Sequence, residues 1–388
     1  MSLYNFDTII DRKGTNSLKY DFAKEFGKPE TVLPLWVADM DFQIPPEAKD
    51  ALVKYTQHSI YGYSDVKEDY FRAVHKWFVE QHSYDTKPEW LVKTPGVVFA
   101  IATAIRAFTQ KGDAVMIQKP VYHPFENTIT VNQRVCIDNS LVYKNGRYEI
   151  DFEDFERKIV DNKVKLFILC SPHNPVGRVW SKDELDNIGH ICLKHDCMIV
   201  SDEIHCDIVY DGYTHHVFSN ICPDFDNVIV CTSPSKTFNL AGLQVSNIFI
   251  ANSQIRNAFK AEIRKTGYSQ LNTMGLIACQ SVYEHGQNWL AQLNQYLMGN
   301  IAYMKEFLSE KLPKIKMVEP EGTYLIWLDC SALNLSQDQL DDRIVNNAQL
   351  WLCSGTIFGT QGEGFQRVNI ACPRQTLESA MERLEKNL

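Results

Sequence analysis

Short apolar, β-branched runs recur along this chain, and several of them are followed directly by polar residues. The clearest are residues 114–117, 165–170, 198–201 and 228–231. Each is the length of one strand buried on both faces, and apolar residues with helical spacing fill most of the intervals between them. This alternation predicts a doubly wound α/β domain with its functional site at the carboxyl ends of the strands.

The alternation changes near residue 286, where a long helical stretch and then shorter elements begin. The change predicts two domains. The large domain would comprise residues 46–285, and a smaller α+β domain would comprise residues 286–388, completed by the N-terminal segment 1–45. The chain shows neither an internal repeat nor a low-complexity linker.

Composition excludes several classes of partner. The net charge of −9 argues against nucleic acid and against an anionic membrane surface. The 11 cysteines form no C-x-x-C pair and no zinc spacing, which is typical of reduced thiols in the cytoplasm. The N-terminus lacks the pattern of a signal peptide, and the longest apolar run, near residues 97–105, is too short to span a bilayer. We therefore expect a soluble, cytoplasmic protein.

A single lysine follows the strand-like run 228–231. The cluster Ser233-Pro234-Ser235 ends that strand, and Lys236 comes next. An ammonium group is costly to desolvate, but a lysine amine can form a Schiff base with a carbonyl cofactor or substrate. Taken alone, Lys236 is more typical of an ordinary surface lysine.

Other strand ends carry side chains that suit one aromatic ligand. Asp202 could keep a heterocyclic nitrogen protonated, because opposite charges favour each other's charged forms. Asn174, in an Asn-Pro turn for which we predict a cis bond, could donate to a phenolate oxygen. Tyr122 could stack on an aromatic ring, although a lone tyrosine there is more typical of core packing.

The remaining features suit a phosphate and an aldehyde. A strand and a Gly turn precede a helix at Gly96-Val97-Val98, an arrangement whose backbone N–H groups bind anions, and Ser233 could assist. Neither a dinucleotide fingerprint nor a P-loop is present. A ring with a phosphate, a phenolate and an aldehyde is pyridoxal 5′-phosphate (PLP), for which a Schiff-base lysine and an acid at the ring nitrogen are the expected protein groups.

The chain resembles fold type I PLP-dependent enzymes of the aminotransferase class I/II superfamily. Within it, the chain is most similar to the MalY/PatB family of cystathionine β-lyases, or C–S lyases. The resemblance covers nearly the whole chain and rests on six stretches in the family's order, at residues 35–42, 61–63, 120–125, 174–177, 201–205 and 233–243. It implies a homodimer with shared active sites.

The resemblance also implies roles for individual residues. Tyr61 would reach the phosphate of the partner subunit's cofactor, and Arg367 would bind the substrate α-carboxylate, although a lone arginine is more typical of a surface or ion-pair residue. The predicted catalytic residues are Lys236, Asp202 and Tyr61. The predicted cofactor-binding residues are Tyr61, Val97, Val98, Tyr122, Asn174, Asp202, His205, Ser233, Ser235 and Lys236. The predicted substrate-binding residues are Ala38, Asn174 and Arg367, and no metal is expected.

Two positions depart from the wider aminotransferase pattern. Many relatives have a tyrosine three residues after the pyridine aspartate, where this chain has His205. Many also have an arginine eight residues after the lysine, where this chain has Gln244. Binding of the phosphate and tuning of the phenolate should therefore differ from those enzymes.

The expected activity is cleavage of L-cystathionine or a related S-substituted cysteine to a thiol, pyruvate and ammonia. Lys236 would be both covalent anchor and general base. The proton donor to the thiol stays open between Lys236 and Tyr61, and the preferred substrate stays open as well. The alternative is a PLP-dependent aminotransferase, which shares the superfamily motifs. A more distant alternative is a non-catalytic regulator built on this fold.

Two further patterns have competing interpretations. Asp202-Glu203-Ile204-His205 resembles a helicase box, but the P-loop that such ATPases need is missing. Asp202, His205 and Asp207 could ligate a metal, but their spacing matches no recognised site. His215 and His216 follow a polar turn, and we expect them in a surface loop.

Overall fold

The computed structural model describes residues 4–222 and 225–388. The strands in these ranges are β1 Leu33–Pro34, β2 Leu91–Thr94, β3 Ala114–Ile117, β4 Val135–Asp138, β5 Val142–Lys144, β6 Arg147–Glu149, β7 Leu166–Cys170, β8 Met198–Asp202, β9 Val228–Thr232, β10 Ser246–Phe249, β11 Lys316–Met317, β12 Leu325–Asp329, β13 Leu350–Trp351, β14 Cys353–Ser354 and β15 Phe365–Asn369.

The α-helices are α1 Pro46–His58, α2 Glu68–His82, α3 Val97–Phe108, α4 Pro124–Val131, α5 Phe152–Asn162, α6 Lys182–Lys194, α7 Phe218–Ile221, α8 Pro234–Thr237, α9 Ser253–Lys265, α10 Thr273–His285, α11 Gln287–Lys311, α12 Gln337–Asp342 and α13 Arg374–Asn387. Short 3₁₀ segments cover Pro88–Trp90, Ala241–Leu243, Ser331–Leu333, Gly355–Phe358 and Thr360–Gly362, and a π turn covers Arg343–Asn347. No helix of the described ranges is long and apolar enough to cross a membrane.

The main sheet has seven strands in the order β2-β10-β9-β8-β7-β3-β4. Strand β10 runs antiparallel to both of its neighbours, and the other pairs are parallel. Every residue of β7, β8 and β9 is buried, because helices cover both faces of the sheet. The predicted doubly wound, mixed α/β fold is confirmed.

Alternate side chains of the central strands enter two different cores. In β7, Phe167 and Leu169 pack on one face of the sheet, and Ile168 and Cys170 pack on the other. Helices α3, α4 and α9 supply apolar side chains to the second of these cores. Successive side chains therefore alternate between the two cores even though the strands are apolar throughout. A shift of one residue would move every side chain to the wrong core, so this alternation fixes the register of the central strands.

The register of the central strands brings the predicted site residues to one edge of the sheet. Cys170 at the end of β7 is paired with Asp202 at the end of β8, and Asp202 is paired with Cys231 of β9. The segments that leave these strands carry Asn174 and Lys236. Parallel strands that end at the same level create a crevice where a ligand can bind.

A second sheet, of four antiparallel strands in the order β11-β12-β15-β14, forms from the C-terminal part of the chain. The N-terminal segment joins this part, because β1 pairs with β13 in parallel and Asp41 N donates to Ala371 O at 2.9 Å. Arg367 lies on the central strand β15. This arrangement carries Trp36, Ala38 and Arg367 to the edge of the main sheet.

Candidate active site

A cavity of about 190 Å³ lies at the carboxyl ends of β7, β8 and β9. The residues predicted from the sequence that line it are Ala38, Val97, Val98, Tyr122, Asn174, Asp202, His205, Ser233, Ser235 and Lys236. Gly96, from the predicted anion-binding turn, also lines it, and the lining residues that the predicted site did not include are Pro95, Cys170, Ile204, Ala241, Gln244, Val245 and Ser246. The main sheet thus gathers most of the predicted site into one cavity.

Lys236 lies on the single-turn helix α8. Ser233 caps this helix by accepting a hydrogen bond from Ser235 N at 3.1 Å, and Pro234 occupies its first turn. The Lys236 Nζ donates to Ala38 O at 2.7 Å. Burial lowers the pKa of Lys236 to about 8, against a smaller opposite effect of Asp39. At pH 7 roughly one amine in ten is then neutral and nucleophilic.

Asp202 is the last residue of β8, and its carboxylate is buried. Burial raises its pKa to about 7, although Asp202 Oδ1 accepts a hydrogen bond from Ile204 N at 3.1 Å, which acts the other way. The negative charge of Glu203 raises the pKa further. A cationic ring nitrogen beside this carboxylate would restore its charge and would itself stay protonated.

His205 presents a neutral imidazole to the cavity. Burial, followed by the positive charges of Lys236 and Arg367, lowers the pKa of His205 to about 3. Its Nδ1 atom is buried and has no hydrogen-bond partner among the residues that the structure describes. A buried polar atom without a partner is costly, so this nitrogen suits a polar ligand atom.

The N-terminus of α3 supplies the anion-binding end of the cavity. Gly96 occupies the N-cap position, and among the described residues no side chain caps this 12-residue helix. The first backbone N–H groups therefore remain for a ligand, and the helix dipole favours negative charge there. Ser233 Oγ donates to Val245 O at 2.7 Å, which leaves Ser235 as the hydroxyl better placed for an anion.

Arg367 lies directly behind Asn174 rather than in the cavity lining. One guanidinium nitrogen donates to Asn174 Oδ1 at 2.9 Å, and another donates to Trp36 O at 2.8 Å. Because the amide oxygen of Asn174 is occupied, its NH₂ group is left for a ligand oxygen. The Asn174–Pro175 peptide bond is cis, as predicted.

Tyr61 does not line this cavity in the described chain. It follows α1 and is 61% exposed. The resemblance assigns Tyr61 to the active site of the partner subunit. That role stays a prediction.

The sequence did not reveal what holds Ala38. Its carbonyl oxygen accepts hydrogen bonds from Lys236 and, at 3.0 Å, from the hydroxyl of Tyr324. Asn369 Nδ2 donates to the carbonyls of Val37 and Asp39, both at 2.6 Å. The one local signal was a tyrosine within the apolar run 323–328, whose hydroxyl needs a partner when it is buried.

The expectation of a surface loop at His215 was wrong. His215 is buried, and its Nε2 lies 2.9 Å from Glu203 Oε2. Glu203 is also buried and accepts hydrogen bonds from Ser201 and from Phe218 N. A buried carboxylate is stable only when it has such hydrogen-bond partners. The contact with Glu203 therefore favours a buried position for His215.

Comparison with known proteins agrees with this geometry. The family model for aminotransferase class I and II matches residues 30–384. The cystathionine β-lyase PatB of Bacillus subtilis is 42% identical over 99% of this chain and 100% of its own length. Protein MalY of Escherichia coli is 32% identical over 98% of this chain and 97% of its own.

A solved structure extends the likeness to three dimensions. Cystalysin from Treponema denticola, which contains a pyridoxal 5′-phosphate cofactor, superposes with a TM-score of 0.96 at 40% identity, covering 99% of this chain and 98% of its own. The chain belongs to the aminotransferase class I and II family. Within that family its similarity to PatB and MalY extends over almost its whole length, which confirms the resemblance found in the sequence.

Proposed function

We propose that this protein is a PLP-dependent carbon–sulfur β-lyase that converts L-cystathionine or a related S-substituted cysteine, with the uptake of water, to a thiol, pyruvate and ammonia. One observation carries the proposal. Lys236 and Asp202 line one cavity in a chain that matches cystathionine β-lyases over its full length.

The residues of the cavity fit PLP. Burial raises the pKa of Asp202 to about 7, because its negative charge is poorly solvated there. A cation beside the carboxylate would stabilise that charge, and the pyridinium nitrogen of PLP is such a cation. The Nδ1 atom of His205, which has no hydrogen-bond partner in the described part of the chain, and the amide of Asn174 suit the phenolate oxygen. The first N–H groups of α3, together with Ser235, suit the phosphate.

Lys236 would hold the aldehyde carbon and later act as a base. When bound, the cofactor supplies an electron sink for negative charge at the substrate Cα. The amine of Lys236 would take the Cα proton, and the Ala38 carbonyl, 2.7 Å from Nζ, restricts where that amine can point. Asp202 would keep the ring nitrogen protonated, which would stabilise the negative charge left at Cα when the proton is removed, before the thiolate leaves Cβ.

Arg367 would bind the substrate α-carboxylate in a bidentate fork. We expect Arg367→Lys to raise KM for the amino acid by about 10- to 100-fold, because lysine keeps the charge but loses the fork and the hydrogen bond to Asn174. Steady-state kinetics measure the effect. Arg157→Lys, at an exposed ion pair on α5, is the matched control. An Arg367→Lys enzyme with KM within twofold of the wild type would contradict this role.

Pyruvate release from L-cystathionine by the purified yellow protein, with no 2-oxo acid added, tests the proposed function. We expect pyruvate, ammonia and thiol in equal amounts. An aminotransferase would give no pyruvate under these conditions and would transfer the amino group once a 2-oxo acid is supplied. That second outcome would overturn the lyase and leave the role of Lys236 intact.

We propose that the working form is a homodimer in which Tyr61 completes the site of the partner subunit. The segment after α1 supports this, because Ile60, Tyr61 and Tyr63 are 64%, 61% and 99% exposed. Neighbouring exposed apolar side chains are typical of an interaction surface. A solution mass equal to the single chain of 44.6 kDa would contradict the proposal.

The proposed domain division and compartment rest on other features. The pairing of β1 with β13 supports a small domain of residues 286–388 that is completed by residues 1–45, beside a large domain of residues 46–285. All 11 cysteines lie in the described ranges and are free thiols, which supports the cytoplasm. Limited proteolysis and localisation of a tagged chain would test the two proposals.

A further inference from the structure

A buried polar cluster centred on Asp207 includes Thr237, the residue that follows Lys236. Asp207 Oδ2 accepts a hydrogen bond from Thr237 Oγ1 at 2.6 Å. Asp207 Oδ1 accepts from Trp77 Nε1 at 3.0 Å and lies 2.8 Å from His82 Nε2. These contacts satisfy both oxygens of a carboxylate whose side chain is only 2% exposed. None of them involves Asp202 or His205, the partners in the alternative metal set.

The carboxylate of Asp207 is ionised in this setting. Burial by itself raises its pKa, but the hydrogen bond and electrostatic attraction of His82, followed by the hydrogen bonds of Thr237 and Trp77, outweigh burial and hold the pKa of Asp207 below its usual range. Hydrogen bonds to an ionised acceptor are stronger than neutral ones. The hydrogen bond from Thr237 to Asp207 is therefore a strong one, and it fixes the position of Thr237.

The residue anchored by Asp207 is the neighbour of Lys236. Helix α8 has a single turn, and so short a helix is marginal unless tertiary contacts hold it. Ser233 caps its first end, and the hydroxyl of Thr237 ties its last residue to Asp207. Lys236 lies between these two fixed points.

Asp207 also links the two halves of the site. The segment that leaves β8 after Asp202 reaches Asp207 five residues beyond that strand end, while the segment that leaves β9 carries Lys236 and Thr237. The hydrogen bond between Asp207 and Thr237 connects these segments directly. The pairing of Asp202 with Cys231 already sets the spacing of the two strands, and the Asp207–Thr237 contact adds a second link beyond the strand ends, next to Lys236.

We propose that Asp207 is a positioning residue that acts through Thr237 to fix the amine of Lys236 for attachment of the cofactor and for proton transfer. The part that concerns proton transfer rests on the proposed function. The part that concerns attachment does not, since it requires only that Lys236 binds PLP.

The test removes the Thr237 hydroxyl and keeps Asp207, because Asp207→Ala would deprive Trp77 of its acceptor and threaten the fold. Thr237→Val keeps the shape of the side chain, and Thr237→Ser restores the hydroxyl. The control is Thr86→Val, another buried threonine, whose Oγ1 lies 3.1 Å from His75 Nδ1. Each full-length variant is studied with bound cofactor and after the cofactor has been stripped.

Two readouts are made on each variant. The first is the rate at which added PLP attaches to the stripped protein, followed by absorbance, and the second is kcat and KM of the loaded enzyme. For Thr237→Val we expect the attachment rate and kcat to fall about 10- to 100-fold with KM within threefold, because misplacement of a reacting group costs rate rather than affinity. Thr237→Ser should recover most of both rates.

The control separates positioning from stability. Thr86→Val should lose thermal stability much as Thr237→Val does, with attachment and kcat unchanged. If Thr237→Val keeps both rates within twofold of the wild type, or if Thr237→Ser is as slow as Thr237→Val, the proposal is overturned. Wild-type protein that binds PLP but releases no pyruvate would overturn the lyase function alone, since the attachment rates would still test Asp207.

Discussion

Lys236→Ala should lower turnover by at least about four orders of magnitude, because it removes the covalent anchor and the base together. Within the described chain, Lys236 Nζ is held by the Ala38 carbonyl and lies in the same cavity as Asp202. No other lysine lines that cavity in the described residues, so a substitute amine is not at hand. Pyruvate release, measured over hours at high enzyme concentration, sets the residual rate.

The fold should survive this substitution. Folding lowers the pKa of Lys236 from 10.5 to about 8, chiefly through burial. At pH 7 the amine is protonated in both the folded and the unfolded chain, so its buried charge costs stability there, and the cost disappears above about pH 10.5. We expect cofactor-free Lys236→Ala to melt no earlier than the cofactor-free wild type at pH 7.

Lys76→Ala, at an exposed ion pair on α2, is the control for loss of a lysine in general and should keep full turnover. A Lys236→Ala enzyme that retained more than about one hundredth of wild-type kcat would exclude Lys236 as anchor and base.

Asp202→Asn should lower kcat by about a thousandfold, the effect expected when one preorganised electrostatic partner is removed. Asparagine has the same shape and can still accept the hydrogen bond from Ile204 N. It carries no charge, however, so it no longer favours a protonated ring nitrogen, and negative charge at the substrate Cα loses its stabilisation. The measurement is kcat for pyruvate release, with the absorbance spectrum as evidence that the cofactor is still bound.

The same variant should gain stability when the cofactor is removed. Folding raises the pKa of Asp202 from 3.8 to about 7 through burial, so its buried charge costs stability fully above pH 7 and not at all below pH 3.8. Cofactor-free Asp202→Asn should therefore melt higher than the cofactor-free wild type at pH 8. Asp113→Asn is the control, since Asp113 also accepts from a backbone N–H, at the opposite end of the sheet. A loss in kcat of less than tenfold in Asp202→Asn would contradict the pyridinium role.

Local pattern was enough to predict the strands that build the site. Strands β7, β8 and β9 begin as apolar runs. Asp202 at the end of β8 and Lys236 shortly after β9 stand out because they are charged residues next to such runs. Helices α9 and α10 were not predicted, because α9 is largely polar and α10 has apolar residues on most of its surface. Their helical form depends on packing against the main sheet and α1.

The sequence by itself determined the doubly wound fold and the positions of Asp202 and Lys236 at or just after the ends of buried strands, because apolar periodicity and strand-end polarity are local properties. Only the tertiary structure decided the contacts between distant segments. Ala38 meets Lys236 across 198 residues, and Asp207 meets Thr237 across 30. The physical reason is that a buried polar group needs some partner, whereas the packing of the whole chain decides which partner comes within reach.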